Sequence, residues 1–242
     1  MNKGLIEVKP MFSYFGSKYK LAKRYGGPRY DTVIEPFAGS AAYSLFWEPK
    51  RVILIEKNPI IASIWQYLIA VSEDEILSLP QDFESVNDLD ISLGAKYLIG
   101  FWIGKGKSTP GITKSKWGRQ YADYPDCKVW NAAVRKRIAS QLEKIRHWEV
   151  IAGDYTHAPD IEAHWFIDPP YIKAGKPYPV RDVDYSALAD WSRERKGFVQ
   201  VCENDGATWL PFQPFHSVNT YHHMKDDGVR SAKYSHEVLY AQ

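Results

Sequence analysis

Cysteine is scarce in this chain: Cys127 and Cys202 are the only two in 242 residues, with no paired spacing and no zinc-ligand pattern. That excludes a disulfide scaffold or a zinc module, and it predicts free thiols in a reducing, cytoplasmic setting. Long apolar runs are lacking as well. No stretch reaches membrane-spanning length and the N-terminus carries no signal-peptide core, so no membrane partner is expected. Neither sign of charge prevails, with 31 Lys and Arg against 29 Asp and Glu for a net of +2. A nucleic-acid partner would have to meet a local basic patch, because the field of the whole chain is weak. The fingerprint GxGxxG is missing, which counts against a nicotinamide dehydrogenase. His222-His223 has no third ligand at a suitable spacing, so no metal is expected. No internal repeat or low-complexity segment is found.

What is present is a series of short apolar runs that end in acids. Thr32-Val33-Ile34 ends in Glu35, followed by the small-residue turn Pro36-Phe37-Ala38-Gly39-Ser40 and a helix. An acid there would repel phosphate and suits a cationic ligand instead. Val52–Ile55 ends in Glu56, about 20 residues further on, the usual offset for a carboxylate that takes both ribose hydroxyls. Val150–Ala152 leads into Gly153-Asp154-Tyr155, where Asp154 could accept from an adenine amino group with Tyr155 against the ring. Trp165-Phe166-Ile167 leads into Asp168-Pro169-Pro170-Tyr171. The two prolines fix φ and remove two backbone donors, so the chain leaves the strand stiff and extended. An acid, open carbonyls and an aromatic face at a strand end suit one task, the holding of a flat, amine-bearing ring.

Two further stretches carry charge. Gly16-Ser17 with Lys18, after Phe12 and Tyr14, predicts an anion-friendly turn opening a helix from Ser17 towards Lys23. The stretch Gly104–Lys128 places Lys105, Lys107, Lys114, Lys116, Arg119 and Lys128 among Trp117, Tyr121 and Tyr124. It is Gly-rich and too long for an idle turn, and basic charge interleaved with aromatics suits contact with phosphates and bases. A helix is expected over Trp130–Trp148, with Arg135-Lys136-Arg137 near the same basic side. Strand–helix alternation over 1–71 and 149–242, broken by a mostly helical 72–148, predicts an α/β, Rossmann-like sheet with an inserted helical domain.

Assembled in this order, the motifs resemble those of the Dam-type DNA adenine methyltransferases. The likeness rests on Phe12–Lys18, Glu35–Ser40, Glu56, Gly153–Tyr155 and Asp168–Tyr171, and it spans nearly the whole chain. It implies a class I methyltransferase sheet, S-adenosyl-L-methionine as cofactor and double-stranded DNA as partner, and it leaves a cognate restriction endonuclease open. It implies cofactor contacts at Tyr14, Gly16, Lys18, Glu35, Phe37, Ala38, Gly39, Ser40, Glu56, Asp154, Tyr155 and Asp168. It implies catalysis by Asp168, Pro169, Pro170 and Tyr171, and target recognition by the insertion. The chain departs from the family in its Gly39-Ser40-Ala41 turn, where two or three glycines are usual. Its basic loop lacks the Asn-Arg and Asn-Gly-Leu elements of members that read GATC, so no target sequence is implied. The residues also leave open an amino-methyltransferase acting on cytosine or RNA, and a DNA-binding protein with an inactive cofactor site.

Overall fold

A computed structural model describes residues 8–116, 119, 129–221 and 232–242. The chain forms a mixed α/β molecule around a seven-stranded, mostly parallel sheet, an arrangement compatible with a Rossmann-like fold. The strands are β1 (Thr32–Glu35), β2 (Arg51–Glu56), β3 (Glu149–Ala152), β4 (Ala163–Ile167), β5 (Gly197–Asn204), β6 (Gln213–Tyr221) and β7 (Ala232–Ala241). Their order across the sheet is β3-β2-β1-β4-β5-β7-β6. The first five run parallel, and β7 lies antiparallel between β5 and β6.

Parallel strands covered on both faces read as continuous apolar runs, and β4 is buried at all five positions. Alternate residues face opposite layers. Val52 and Leu54 join one core cluster, while Ile53 and Ile55 join another with Trp165, Val199 and Leu188. Leu188 lies on the helix Tyr185–Arg193. His164 is a satisfied core residue: its Nδ1 accepts from the Arg29 N–H at 3.2 Å and its Nε2 lies 3.1 Å from Gln200 Oε1. Burial pushes its pKa down to about 4, so it stays neutral.

The helices that matter to the site are α1 (Ala42–Trp47), α2 (Pro59–Ala70), α3 (Glu73–Ser78), α4 (Leu93–Ile103), α5 (Ala132–Ala139) and α6 (Tyr185–Arg193). Each of α2 to α6 opens on an Asn, Ser or Asp whose side chain accepts from a first-turn N–H, which meets a donor the helix cannot satisfy itself. The described residues of 72–148 do not bury their apolar side chains apart from the sheet. Ile76, Leu98, Phe101, Trp130 and Ile138 share one cluster with Leu54 of β2 and Trp65 of α2.

Two expected helices differ. The segment after Ser17 turns irregularly and forms only a short 3-10 helix at Ala22–Tyr25. Its side chains are drawn to different neighbours: Lys18 turns in to Asp168, while Tyr19 Oη donates to the Val8 carbonyl. The expected helix over Trp130–Trp148 ends at Ala139 and resumes as a 3-10 turn at Leu142–Lys144. There Gln141 pairs with both backbone groups of Lys9, which pulls the chain out of helical register.

The cap of α5 provides a stability test. Asn131 is buried and its Oδ1 accepts from the Val134 N–H at 2.9 Å. Asn131→Ala is expected to lower unfolding stability by about 1–2 kcal/mol, read from urea denaturation. An unchanged midpoint and slope would remove the cap from the account of why α5 starts there.

Candidate active site

The strand order reverses between β1 and β4, and ligands of open α/β sheets bind outside the carboxyl ends of the strands at such a point. A cleft of about 810 Å³, its mouth included, opens there. All twelve residues expected at a cofactor line this one cleft.

The β1 turn is built on acid-to-amide bonds. Glu35 is buried, and its Oε1 accepts from the Ser44 N–H at 2.9 Å, which caps the first turn of α1 from outside the helix. Burial pushes its carboxyl up to about 8, against the opposing pull of Ser44. Glu56 spends both oxygens on backbone: Oε2 accepts from Gly39 N–H and Oε1 from Asn58 N–H, each at 2.8 Å. It therefore ties the β1 turn to the start of α2. Burial raises its pKa too, partly offset by those amides. Each carboxylate oxygen still has acceptor capacity for a ligand hydroxyl. Gly39 takes φ 47, and a Cβ there would press on the Tyr14 ring at 3.3 Å. Ala41 is left-handed as well, at φ 45. The turn keeps this geometry where the resembled family is richer in glycine, at a steric cost of about 1–2 kcal/mol.

Across the cleft, Gly16 takes φ 75, and an added Cβ would lie 2.0 Å from Tyr178 Oη. Tyr178 donates to the Phe15 carbonyl at 3.1 Å, and Ser108 Oγ donates to the Pro177 carbonyl. These bonds lay the chain after Tyr171 over the cleft. Ser40 Oγ and Ser17 Oγ are bonded at 2.9 Å. Phe37 stacks on Tyr155, with ring centres 5.5 Å apart, and forms an aromatic wall. Asp154 pairs with Lys57 at 3.1 Å and accepts from the Thr156 N–H.

At the centre lies Lys18. Its Nζ is 3.0 Å from Asp168 Oδ1 and 4.5 Å from the centre of the Tyr171 ring. Burial pulls its pKa down, but Asp168 and then Glu237 outweigh that and hold it above its ordinary value. Asp168 Oδ1 is buried and receives no aligned hydrogen bond, so its contact with Lys18 is chiefly coulombic. Asp168 and Pro170 line the first cleft, whereas Pro169 and Tyr171 line a second, wider hollow. The stretch is thus a partition with alternate residues facing opposite sides.

Sequence reasoning missed two acids that hold this partition. Tyr171 Oη donates to Glu237 Oε2 at 2.6 Å. Glu203 accepts from the Ile172 N–H and from Trp209 Nε1, both at 3.3 Å. Burial raises the pKa of both acids. Glu203 follows the run 198–202, apolar but for Gln200, as Glu56 follows its own, so the strand-end rule would have found it. Glu237 carries only a weak signal, an acid within the alternation of a closing strand.

The basic loop divides. Lys105, Lys107, Lys116 and Arg119 are exposed. Lys114 is a correction: it is buried, its Nζ donates to the Gln81 carbonyl and lies 4.8 Å from the Phe83 ring, so its ammonium faces the interior rather than a phosphate. Trp117 and Tyr121 lie outside the described residues. Among the described residues no cluster of metal-ligating side chains occurs, and no helix is long and apolar enough to cross a membrane. Compared with protein-family models and with curated proteins, the chain matches none.

The raised pKa of Glu35 fixes the sign of a pH effect. Between 4.5 and about 8 the folded state holds a proton that the unfolded chain has released, so stability falls as pH rises through that window. Glu35→Gln keeps an acceptor for the Ser44 N–H and removes the titration. Its stability relative to the native chain is expected to grow from pH 5 to pH 8.5, with a slope of up to about 1.4 kcal/mol per pH unit. Urea denaturation across that range checks it, and parallel profiles for the two proteins would refute it.

Proposed function

We propose that this chain is an S-adenosylmethionine-dependent DNA methyltransferase that modifies the exocyclic 6-amino group of adenine within a specific sequence, with the base flipped from the helix. The observation that carries this reading is the partition at Asp168–Tyr171. It stands between two hollows, with its acid and second proline on one side and its first proline and aromatic ring on the other. A direct transfer requires the two bound molecules to meet, and beside this stretch the two hollows share Tyr14, Gly16, Ser17, Lys18 and Tyr178 in their linings.

The first cleft fits S-adenosylmethionine on its own chemistry. Phe37 and Tyr155 offer a flat aromatic wall to a purine, Asp154 an acceptor for its amino group, and Glu56 acceptors for a diol. Asp168 brings negative charge towards a cation, and Gly39 keeps the turn clear of side chain. When bound, the cofactor supplies an electrophilic methyl group on a sulfonium.

The protein's own residues do the rest. Adenine's amino nitrogen is a poor nucleophile because its lone pair is delocalised into the ring. Asp168 Oδ1 and the Pro169 carbonyl accept its two hydrogens, which favours a tetrahedral nitrogen with its lone pair turned to the first cleft. Tyr171, fixed by Glu237, offers the stacking face. Catalysis is then orientation plus stabilisation of developing positive charge. A duplex buries the amine, so the base must leave the stack to reach this wall. The Lys18 ammonium supports the assignment. It already lies within reach of Asp168 and over the Tyr171 ring, where an amine on a stacked base would lie. In this reading 72–148, whose described residues share a core with the sheet, serve target recognition as an insertion between catalytic parts 1–71 and 149–242.

Two substitutions test it. Asp168→Ala is expected to abolish transfer from radiolabelled cofactor to DNA and, by leaving the buried Lys18 ammonium without its partner, to lower stability as well. Nucleoside mass spectrometry of the native reaction should give 6-methyladenine. Methylated cytosine, or turnover by the variant near the native rate, would overturn the assignment. Glu56→Ala is expected to weaken cofactor binding by about 1.5–3 kcal/mol, measured by titration calorimetry, with little change in DNA binding. An unaltered cofactor affinity would place the ribose elsewhere.

A further inference from the structure

The chain from 172 to 183 lies over the first cleft with neither helix nor strand, and most of its residues are exposed. Tyr178, Val180, Asp182 and Val183 of this cover line the cleft. Both ends of the cover are fixed. The Ile172 N–H donates to Glu203 and the Gly175 N–H to the Tyr171 carbonyl. At the other end Val183 packs on the core cluster that holds Leu188, just before the Asp184 cap of α6. Among the described residues, the stretch between, 176–182, is joined to the rest of the chain by two side-chain hydrogen bonds. Tyr178 Oη donates to the Phe15 carbonyl at 3.1 Å, and the Pro177 carbonyl accepts from Ser108 Oγ. No ladder of backbone bonds supports this stretch, so these two bonds weigh heavily in how readily it lifts.

The two partners themselves meet. The Phe15 N–H donates to the Lys107 carbonyl, and the Gly106 N–H to Ser13 Oγ, each at 3.1 Å. Phe15, Lys107, Ser108, Pro177 and Tyr178 thus close a ring that bonds three segments to one another. The Ser108 side of the ring is firm. Ser108 is buried, and the turn that carries it is pinned to α4 by the Gly111 N–H on the Gly100 carbonyl at 2.8 Å. A Cβ on Gly104 would lie 2.8 Å from the Gly111 nitrogen, so that turn packs backbone against backbone. The cover side is stiff. Pro177 and Pro179 fix φ on both sides of Tyr178, and Gly16 leaves the space that the Tyr178 hydroxyl occupies. A stiff flap on a firm post opens by breaking the bonds between them rather than by unravelling.

We propose that 172–183 is a lid that gates exchange of the ligand in the first cleft, and that Ser108, with Tyr178, is its latch. Ser108 lines neither hollow, so its influence on that ligand runs through the lid. It belongs to 72–148, so the part read as serving target recognition also governs passage at the cofactor cleft. For the identity of the ligand, S-adenosylmethionine, the inference rests on the methyltransferase reading. Both latch bonds join protein groups, so they favour the closed lid whether the cleft is filled or not. Loosening them speeds entry and exit together and leaves their ratio, the affinity, nearly unchanged. Loss of a direct ligand contact acts differently: it speeds exit alone and weakens binding.

The test is surface plasmon resonance, with S-adenosylmethionine passed over the immobilised full chain, and the native protein compared with Ser108→Ala and Tyr178→Phe. Ser108→Ala is expected to raise the association and dissociation rate constants together by about two- to tenfold, the weight of one neutral hydrogen bond in an equilibrium, with less than about a twofold change in Kd. Ser78→Ala, which removes an exposed hydroxyl bonded to the Glu75 carbonyl on α3, is the control and is expected to keep both native rates. Thermal melts establish that the variants are folded. Tyr178→Phe keeps the ring and loses only the latch hydroxyl, and it carries the test with the same expected result if Ser108→Ala unfolds. Native rates in the latch variants, or faster dissociation alone with affinity lost in proportion, would overturn the lid and leave the methyltransferase reading intact. A native chain that binds no S-adenosylmethionine would overturn both.

Discussion

The ion pair between Lys18 and Asp168 is the contact on which the rest of the site depends. Glu35, Glu203, Glu237 and Asp168 come from β1, β5, β7 and the end of β4, and they converge in a region largely shielded from water. Charges taken out of water cost several kcal/mol each unless compensated. For three of these acids the response is a raised pKa. Lys18 supplies the compensation for Asp168, at 3.0 Å, and is stabilised in turn by Glu237. The N-terminal segment is thereby fastened to the middle of the sheet by electrostatics as much as by packing. That explains why it bends inward at Gly16-Ser17-Lys18 instead of continuing as a helix.

The same economy governs the turns around the cleft. Glu35 and Glu56 bind the backbone N–H groups of Ser44, Gly39 and Asn58, so the β1 turn needs few glycines to hold its shape. Ala41 accepts a left-handed conformation because its methyl group is fully buried in the cluster that includes Leu45 and Trp65. Packing and capping offset the steric cost there. A carboxylate engaged by one backbone donor retains lone pairs, so structural and ligand-binding roles are compatible in Glu56.

Much of the framework was legible in the sequence. The parallel strands are apolar on both faces, and runs such as Val52–Ile55 and Trp165–Ile167 announce themselves for that reason. The acids at the ends of these runs fall at the carboxyl edge of the sheet by the same logic, so a rule about strand ends gathered the lining of one cleft. The fate of long cationic side chains was not legible. Lys114 turns inward to the Gln81 carbonyl, while Lys105 stays at the surface beside Trp102. Arg135 and Arg137 lie on one short helix, yet they serve opposite sides of it. A lysine or arginine stem reaches several ångströms in many directions, and its partner belongs to another part of the chain, so local pattern does not decide it. Glu237 escaped for the related reason that its significance lies in Tyr171, 66 residues away.

The two prolines link the electrostatics to the proposed chemistry. With φ fixed at both, the chain from Asp168 to Tyr171 has little freedom to rotate an acid, a carbonyl or a ring out of place. Its anchors come from three directions: Tyr185 Oη to the Pro170 carbonyl, the Gly175 N–H to the Tyr171 carbonyl at 2.7 Å, and Tyr171 Oη to Glu237. The Pro169 carbonyl is not among the groups so engaged, and it flanks Asp168 Oδ1, a buried acid oxygen that lacks an aligned donor. A wall held this rigidly has already met much of the entropic cost of alignment when a ligand arrives. Lys18 sets the condition for use. An amine that replaces its ammonium at Asp168 must offer donors in the same place, and it must do so while stacked on Tyr171, which restricts the ligand to a flat ring bearing an N–H group.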